Sequence, residues 1–375
     1  MKIGIIAPGF SADKLDWCIP ALLDLVRVLA GRAEVHVFAL RYPHRGGRYT
    51  VYGAQVHAFG AGEGRGVRTV RLWAGVLAAL AAEHRYGRFD RLHAFWADEP
   101  GLLGVLAARH LGVPAILSLA GGELARLPEI GYGGQLRRSE RWKTRLALRW
   151  ARTVTAGSRF LVDAACSHLP PAHHVKLFWA PLGVDLNLFP PRASPPRPAP
   201  GRLHLVNVAS LLPVKDHALL FEALRRVRTG GLAATLTLVG EGPLEDDLRR
   251  RAAATGLAEA VTFRGPVRRE QLAALLRTAD VFALSSRHEA QCLAALEAAA
   301  SGLPVAGTAV GVVPELAPTA AIATPPGDPD ALAGALGRLA DEATRTAMGH
   351  AARQRVETEF GLERCVERFW RLYHA

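Results

Sequence analysis

The chain has 375 residues, half of them hydrophobic and 21% charged, with 37 glycines and 24 prolines, a globular profile that excludes one small module and a disordered or fibrous chain. Its formal net charge of +12 rests on 46 basic residues; no nucleic-acid motif accompanies it, so nucleic acid is set aside in favour of a solvated surface or an attraction to anionic lipid and phosphate. Cys18, Cys166, Cys292 and Cys365 stand far apart with no CxxC or Cys/His cluster, which argues against a disulfide framework or zinc site and for a reducing, cytoplasmic compartment.

The opening MKIGIIAPGF is too short an apolar run for a signal peptide and the right size for a buried strand, and no stretch reaches the ~18 apolar residues of a membrane span. Apolar runs at 3–7, 35–40, 90–97, 114–120, 153–156 and 175–180 predict strands. Between them, helical periodicity predicts helices over 17–30, 67–83, 100–111 and 134–151, and from Ser158. Such alternation implies a parallel sheet with helices on both faces.

Residues 188–201, LFPPRASPPRPAPG, are too rich in proline for a helix or central strand and read as a stiff linker between domains 1–187 and 202–356. The pattern then restarts. Strands are predicted at 203–209, 235–240, 261–265, 280–286 and 304–308, and helices begin at Asp216, Leu244 and Arg269 and near 291. Two such halves predict a ligand cleft at the carboxyl ends of their sheets. A last amphipathic helix carries Val366, Phe369, Trp370 and Tyr373 at helical spacing and must cover an apolar face.

Lys215, in NVASLLPVKDH, follows a strand and precedes a helix with Asp216 as N-cap. A lysine beside the free N–H groups of a helix start makes an anion site, although a surface lysine fits too. In SSRHEAQCLAALEAAASGLPV, Glu297 sits among leucines and alanines, where a buried carboxylate needs donors such as the two hydroxyls of a ribose. Glu289, at the strand-to-helix loop, could reach hydroxyls of the same ligand. The bland alternative makes Glu297 a helix-favouring surface residue and Glu289 a first-turn dipole partner.

The succession VASLLPVK, LTLVGEGPLEDDL, VTFRGPV, LLRTADVFALSSRHEAQCLAALEAAASGLPV and GTAVGVVPEL resembles the donor domain of the retaining nucleotide-sugar glycosyltransferases of family 4 (glycosyl transferases group 1). The resemblance is dense from Leu203 to Leu316 and extends to APLGVDLNLF and to the closing EFGLERCVERFWRLY. It implies an α/β GT-B fold of two Rossmann-like parallel-sheet domains facing each other across a cleft. The first domain would bind the acceptor, the second the donor, and a C-terminal helix at 357–375 would pack back on the first.

Carried over by position, the resemblance implies that Lys215 binds the donor diphosphate, Glu297 the ribose and Glu289 the transferred sugar. Backbone N–H groups of Ala290, Gln291, Cys292 and Leu293 would meet phosphate, Pro266 and Val267 would face the base, and Gly240 and Gly242 would line its pocket. Two departures concern this site. Ser210 occupies a position where relatives often have an arginine, leaving transition-state charge to Lys215, helix N-termini or an arginine such as Arg287. Ala290, Gln291 and Cys292 replace a usual Gly-Phe-Gly.

In the first domain Ala120 stands where many relatives carry a histidine. In front-face retaining transfer, which the family implies, the leaving diphosphate itself can take the acceptor proton. Asp98, Glu99 and Glu123 are candidates to orient an acceptor or are loop acids. Trp96 could stack on a sugar or belong to the core. Gly9 and Gly121 allow close backbone approach or serve turns. No DxD pair lies near the phosphate residues, so no metal is expected, and no cofactor; the first loop lacks GxGxxG, against NAD or FAD.

The segment RRSERWKTRLALRWAR (137–152) places Trp142, Leu146 and Trp150 on one helical stripe beside Arg138, Arg141, Arg145 and Arg149. The Trp stripe facing the core, or the helix lying on an anionic membrane, both fit. The expected partners are a UDP- or GDP-sugar donor and a sugar, glycolipid, lipid-linked sugar or polysaccharide acceptor, with peripheral contact at the inner face of a membrane as an addition. The alternatives are a nucleotide-sugar epimerase of the same architecture and a catalytically weak, glycosyltransferase-like nucleotide-binding protein.

Overall fold

Runs of β-branched and apolar residues, each closed by glycine, proline or a polar turn and followed by a longer helical stretch, build two parallel sheets. The structure, a computed structural model, describes residues 1–14, 16, 18–62, 66–192 and 201–375. Trp17 and residues 193–200 of the proline-rich segment lie outside the described residues. The chain divides into one unit of Met1–Gly183 with Leu362–Ala375 and a second of Val184–Gly361.

In the first unit the elements are β1 (Lys2–Gly9), α1 (Pro20–Ala30), β2 (Glu34–Tyr42), β3 (Gly47–Val51), β4 (Ala54–Ala58), α2 (Val67–Tyr86), β5 (Arg91–Phe95), α3 (Glu99–Leu111), β6 (Ala115–Leu119), α4 (Arg138–Trp150), β7 (Thr153–Ala156), α5 (Arg159–Cys166) and β8 (Leu177–Trp179). The sheet order is β3-β4-β2-β1-β5-β6-β7-β8, parallel throughout except for the antiparallel β3–β4 hairpin. Sequence reading gave no strands here. The hairpin turns on Tyr52 (φ 49°) and Gly53 (φ 88°), two left-handed residues as a tight two-residue turn requires, and tyrosine is an unusual choice for the first of them.

The second unit comprises β9 (Arg202–Val208), α6 (His217–Thr229), β10 (Ala233–Val239), α7 (Glu245–Ala254), β11 (Val261–Phe263), α8 (Arg269–Leu276), β12 (Val281–Leu284), α9 (Leu293–Ala300), β13 (Val305–Thr308), α10 (Val313–Leu316), β14 (Ala321–Thr324), α11 (Pro329–Arg338) and α12 (Glu342–Arg355). Its order is β11-β10-β9-β12-β13-β14, all parallel. β14, α11 and α12 go beyond the elements read from sequence. The core packs Leu205, Leu236, Val281 and Ala306 of the strands against Leu220 and Leu224 of α6 and Leu336 of α11.

The last helix, α13 (Leu362–His374), belongs to the first unit. Val366, Phe369 and Tyr373 are buried in that unit's core with Ile3, Ile5 and Leu22. The Tyr373 hydroxyl lies 2.7 Å from His93 Nδ1 on β5, and His93 Nε2 lies 2.7 Å from Ser118 Oγ on β6. Burial pushes the His93 imidazole down to about 3, so the ring is neutral and can both donate and accept within this chain.

Candidate active site

The residues singled out in the second unit gather at the carboxyl ends of β9, β10, β11 and β12, the edge at which open parallel sheets bind ligands. Adjacent strand ends are stitched together. Ser285 Oγ donates to the Lys215 carbonyl (2.8 Å) and Arg287 N to the Val214 carbonyl (2.8 Å), joining the loop after β12 to the turn Pro213–Lys215. Lys215 Nζ then sits 2.6 Å from Glu289 Oε1, and Ser286 Oγ donates to the same oxygen at 2.6 Å. Asp216, at φ 46°, caps α6 by accepting from Leu219 N and also accepts from Arg287 Nε at 2.8 Å.

Glu297 projects from α9, with Arg269 Nη2 at 3.8 Å, a buried guanidinium that also lies over the Phe189 ring. The Cys292 thiol is pushed up by its burial; Glu289 and Glu297 add to that rise and Lys215 opposes it. Lys215, Glu289 and Glu297 therefore share one electrostatic neighbourhood around Cys292. Gly240 (φ 129°) and Gly242 are packing necessities. A Cβ on Gly240 would strike the Ala209 carbonyl, and one on Gly242 would lie 2.6 Å from Leu211 O. Gly240 N donates to Gly265 O (2.9 Å), drawing the loop of Pro266 and Val267 to the same edge. Ser210 is exposed on the loop after β9.

In the first unit a cavity of about 590 Å³ is lined by Trp96, Asp98, Glu99 and Glu123 together with Arg41, Trp73 and Lys143. The three acids differ. Glu99 is clamped by Arg41 through Nε (2.7 Å) and Nη2 (2.8 Å) and accepts from Trp73 Nε1 at 2.7 Å. Glu123 accepts three backbone N–H groups, from Ala97, Ala120 and Gly121 (3.1, 3.1 and 2.7 Å), so its carboxylate holds two loops in place. Asp98 is pushed up to about 7, chiefly by burial and next by the Glu123 charge, with Lys143 opposing. Asp98 is thereby poised to exchange a proton near neutrality.

Trp96 takes φ 69°, a left-handed strain of the kind that concentrates at functional sites. Gly121 carries no side chain because a Cβ there would lie 2.6 Å from Trp96 Nε1. Gly9 is not among the residues lining the cavity; a Cβ there would lie 2.9 Å from Tyr42 Cβ, which gives the glycine a packing reason.

The residues 202–342 match the family model Glycosyl transferases group 1 and residues 21–188 match Glycosyltransferase Family 4. The chain belongs to glycosyltransferase family 4. A D-inositol 3-phosphate glycosyltransferase of Arthrobacter sp. (strain FB24) is 29% identical over 240 residues, covering 60% of this chain and 56% of the relative. An MMP alpha-(1->4)-mannosyltransferase of Mycolicibacterium hassiacum is 30% identical over 292 residues, 70% and 65% of the two chains. The chain thus spans a little over half the length of the first of these relatives. Sucrose-phosphate synthase from Thermosynechococcus elongatus shares the fold with a TM-score of 0.78 at 21% identity over 100% and 98% of the chains. Anabaena HepE in complex with UDP does so at 0.74 and 19% over 99% of each. These neighbours establish the GT-B architecture of two parallel-sheet α/β domains.

Against this family 4 frame, several residues of the site escape sequence reading. Ser286, three residues before Glu289 on the same loop, donates to it, and Arg269 at the start of α8 lies 3.8 Å from Glu297. Gly311 (φ 58°) lets its loop pass Glu289, since a Cβ there would lie 2.6 Å from Gln291 O and 2.9 Å from Glu289 Cβ. The only sequence signal was the glycine in GTAVGVVPEL. Arg287, considered as a source of transition-state charge, is turned to Asp216. Cys292 adopts φ 72° at the last position of the replaced Gly-Phe-Gly, where glycine is the unstrained residue.

The Trp stripe of α4 does not face the core. Thr144, Ala147 and Leu148 are its buried residues, and Trp142, roughly 200° around the helix from Thr144, is 56% exposed. Trp150 is half-buried under the Arg109 guanidinium, 4.8 Å from its ring centroid. No helix among the described residues is long and apolar enough to cross a membrane.

Proposed function

We propose that the protein is a retaining glycosyltransferase that moves a hexose from a UDP-activated or GDP-activated donor, bound by the second unit, to a hydroxyl of a sugar or lipid-linked sugar bound in the first. The observation that carries the donor reading is the convergence of Lys215, Glu289 and Glu297 at the carboxyl edge of one parallel sheet. Lys215 would hold the diphosphate, with the N–H groups at the start of α9 adding their dipole. Glu297 would hold the ribose diol and Glu289 the transferred sugar. In the free protein the Lys215 ammonium is neutralised by Glu289, so an incoming diphosphate shares or takes over that cation. A structural neighbour solved in complex with UDP, and relatives named as a D-inositol 3-phosphate glycosyltransferase and an alpha-(1->4)-mannosyltransferase, support the substrate class.

The departing diphosphate would take the acceptor proton on the face it leaves, which needs no protein base there and fits Ala120. The acceptor would lie in the cavity of Trp96, Asp98 and Glu99, with Asp98 exchanging hydrogen bonds to its hydroxyls and Trp96 offering an apolar ring face. On α4, exposed Trp142 beside exposed Arg138, Arg141 and Arg145 supports a peripheral contact with anionic lipid. Sedimentation with vesicles containing phosphatidylglycerol tests it. Equal binding by the protein with all three arginines replaced by glutamine removes the contact.

The function is tested by thermal shift with UDP, GDP and ADP and by product analysis with the matching sugar nucleotides. One nucleotide is expected to stabilise, by about 2.7 kcal/mol at a hundred times its Kd, with the shift lost in Lys215→Ala and Glu297→Ala. Product anomers read by NMR should retain the donor's configuration. Binding without turnover on any acceptor would favour the weak binding protein, and acceptor-independent release of free nucleotide the epimerase. No shift with any nucleotide would overturn the donor site.

A further inference from the structure

Toward the amino end of the first unit's sheet, three buried ligand-type side chains converge. His36 Nδ1 on β2 lies 3.1 Å from His57 Nε2 on β4 and 3.8 Å from Glu83 Oε2 on α2, and one ligand atom from each of the three falls within 4.8 Å of the others. A zinc-type ion bound at 2.0–2.1 Å in tetrahedral geometry sets its ligand nitrogens about 3.3 Å apart. The His–His spacing meets that, and the Glu83 carboxylate reaches it by a small rotation. We propose that His36, His57 and Glu83 form a site for one divalent cation of the zinc class, clamping β2 and β4 to the end of α2.

The surroundings support ligation. Glu34 Oε1 stands 2.8 Å from His36 Nε2, so the carboxylate holds the proton on Nε2 and leaves Nδ1 with its lone pair directed at the site, the arrangement that commonly orients a metal-bound histidine. In the free protein His57 Nε2–H donates to His36 Nδ1; on metal binding that proton moves to His57 Nδ1, and both lone pairs face the ion. All three residues are nearly fully buried, at 6, 6 and 8% exposure.

Two cations compete. Lys2 Nζ lies 3.2 Å from Glu34 Oε1 and 4.0 Å from Glu83 Oε2, while also donating to the Glu83 carbonyl; it keeps Glu34 and that carbonyl when Glu83 turns to a metal. Arg48 Nη1 holds Glu83 Oε1 at 3.2 Å, but its side chain is 67% exposed, so it can swing into water. The spacing of 21 and 26 residues between the ligands explains why no zinc motif is visible in the sequence: strand order, not local spacing, makes the cluster.

The test is a Co²⁺ titration of the untagged, chelator-stripped full chain, read by visible ligand-field absorption, with Zn²⁺ as competitor. We expect one tight Co²⁺ per chain, a fall in affinity of at least tenfold in His57→Ala and in the isosteric Glu83→Gln, and a gain in Arg48→Ser. The exposed Cys18 thiol is controlled by Cys18→Ser, which should bind as the native chain does. Absence of a tight site in the native chain, or loss in Cys18→Ser with retention in the other variants, would overturn the proposal. Should His57→Ala fail to fold, unchanged affinity in Glu83→Gln overturns it alone.

Discussion

The charged groups at the edge of the second unit and those around the cavity of the first are arranged on opposite plans. In the second unit, cations and anions pair across loops that end different strands, Lys215 with Glu289 and Arg287 with Asp216. In the first unit, two acids are immobilised by Arg41, Trp73 and backbone N–H groups, while a third, Asp98, is left to titrate. On the proposed function, a cation that meets a phosphate has to be exchangeable, and the partner of Lys215 is a single carboxylate oxygen of Glu289 rather than a bidentate clamp. On the same proposal, a wall that holds an acceptor in register is rigid, and the charges of Glu99 and Glu123 are locked.

The sharpest way to break that contrast is Lys215→Ala. If the lysine carries the diphosphate charge in the transition state, kcat/KM falls by about 10²–10³, a loss of ~3–4 kcal/mol, while the folded protein survives because the ammonium is only part-buried. A loss confined to KM, with kcat intact, would make Lys215 a ground-state anchor and weaken the mechanism assigned to it. Next in size is Glu99→Gln, which leaves the Arg41 guanidinium without its charge partner. Urea denaturation should register about 2 kcal/mol of destabilisation, below the 3–5 kcal/mol of a fully buried pair because Arg41 keeps some water. A stable but inactive Glu99→Gln would instead make Glu99 a substrate ligand and erase the distinction between locked and exchangeable acids.

Both plans were unequally legible in the sequence. Lys215 and Glu289 could be singled out because they stand at a helix start and a strand-to-helix loop that the apolar periodicity fixes, and Glu297 because it is a carboxylate among leucines and alanines; the other donor-site residues were named only through the family resemblance. Their pairing was not legible, since Lys215 and Glu289 lie 74 positions apart and meet only because β9 and β12 are neighbours in the sheet. In the first unit Asp98, Glu99 and Glu123 looked equivalent as loop acids. What separates them is which donors the fold brings near: Arg41 from the end of β2, Trp73 from α2, and the N–H groups of two loops. The α4 stripe misled for a related reason. Its aromatic spacing fits a helix face, but the small residues Thr144 and Ala147 pack closest, leaving Trp142 outside.

Asp98 sharpens the comparison through pH. Its carboxyl titrates near 7 in the folded protein and near 4 when unfolded, so the folded state binds more protons between those values. Stability therefore falls as pH rises from about 4 to about 7. In Asp98→Asn that slope is removed, and the variant should gain stability over the native chain progressively from pH 5 to 8 and not below pH 4, as read by urea midpoints. Its transfer rate should fall meanwhile. An identical pH slope in both proteins would mean that Asp98 titrates as an ordinary exposed acid and that the cavity has no exchangeable group.

The smallest effect concerns the floor of the donor site. At φ 72°, Cys292 occupies backbone space that costs a residue with a Cβ about 1–2 kcal/mol relative to glycine. Comparing Cys292→Gly with Cys292→Ala cancels the lost thiol and isolates the backbone. The glycine variant should be the more stable by about 1 kcal/mol, the reverse of their usual order beside a helix. That sign bears on the proposed function, in which the N–H groups following Cys292 would meet the donor phosphate. If alanine proved equal to glycine, the turn would not be left-handed, and the N–H groups at the start of α9 would not take the orientation that the proposed phosphate contact requires.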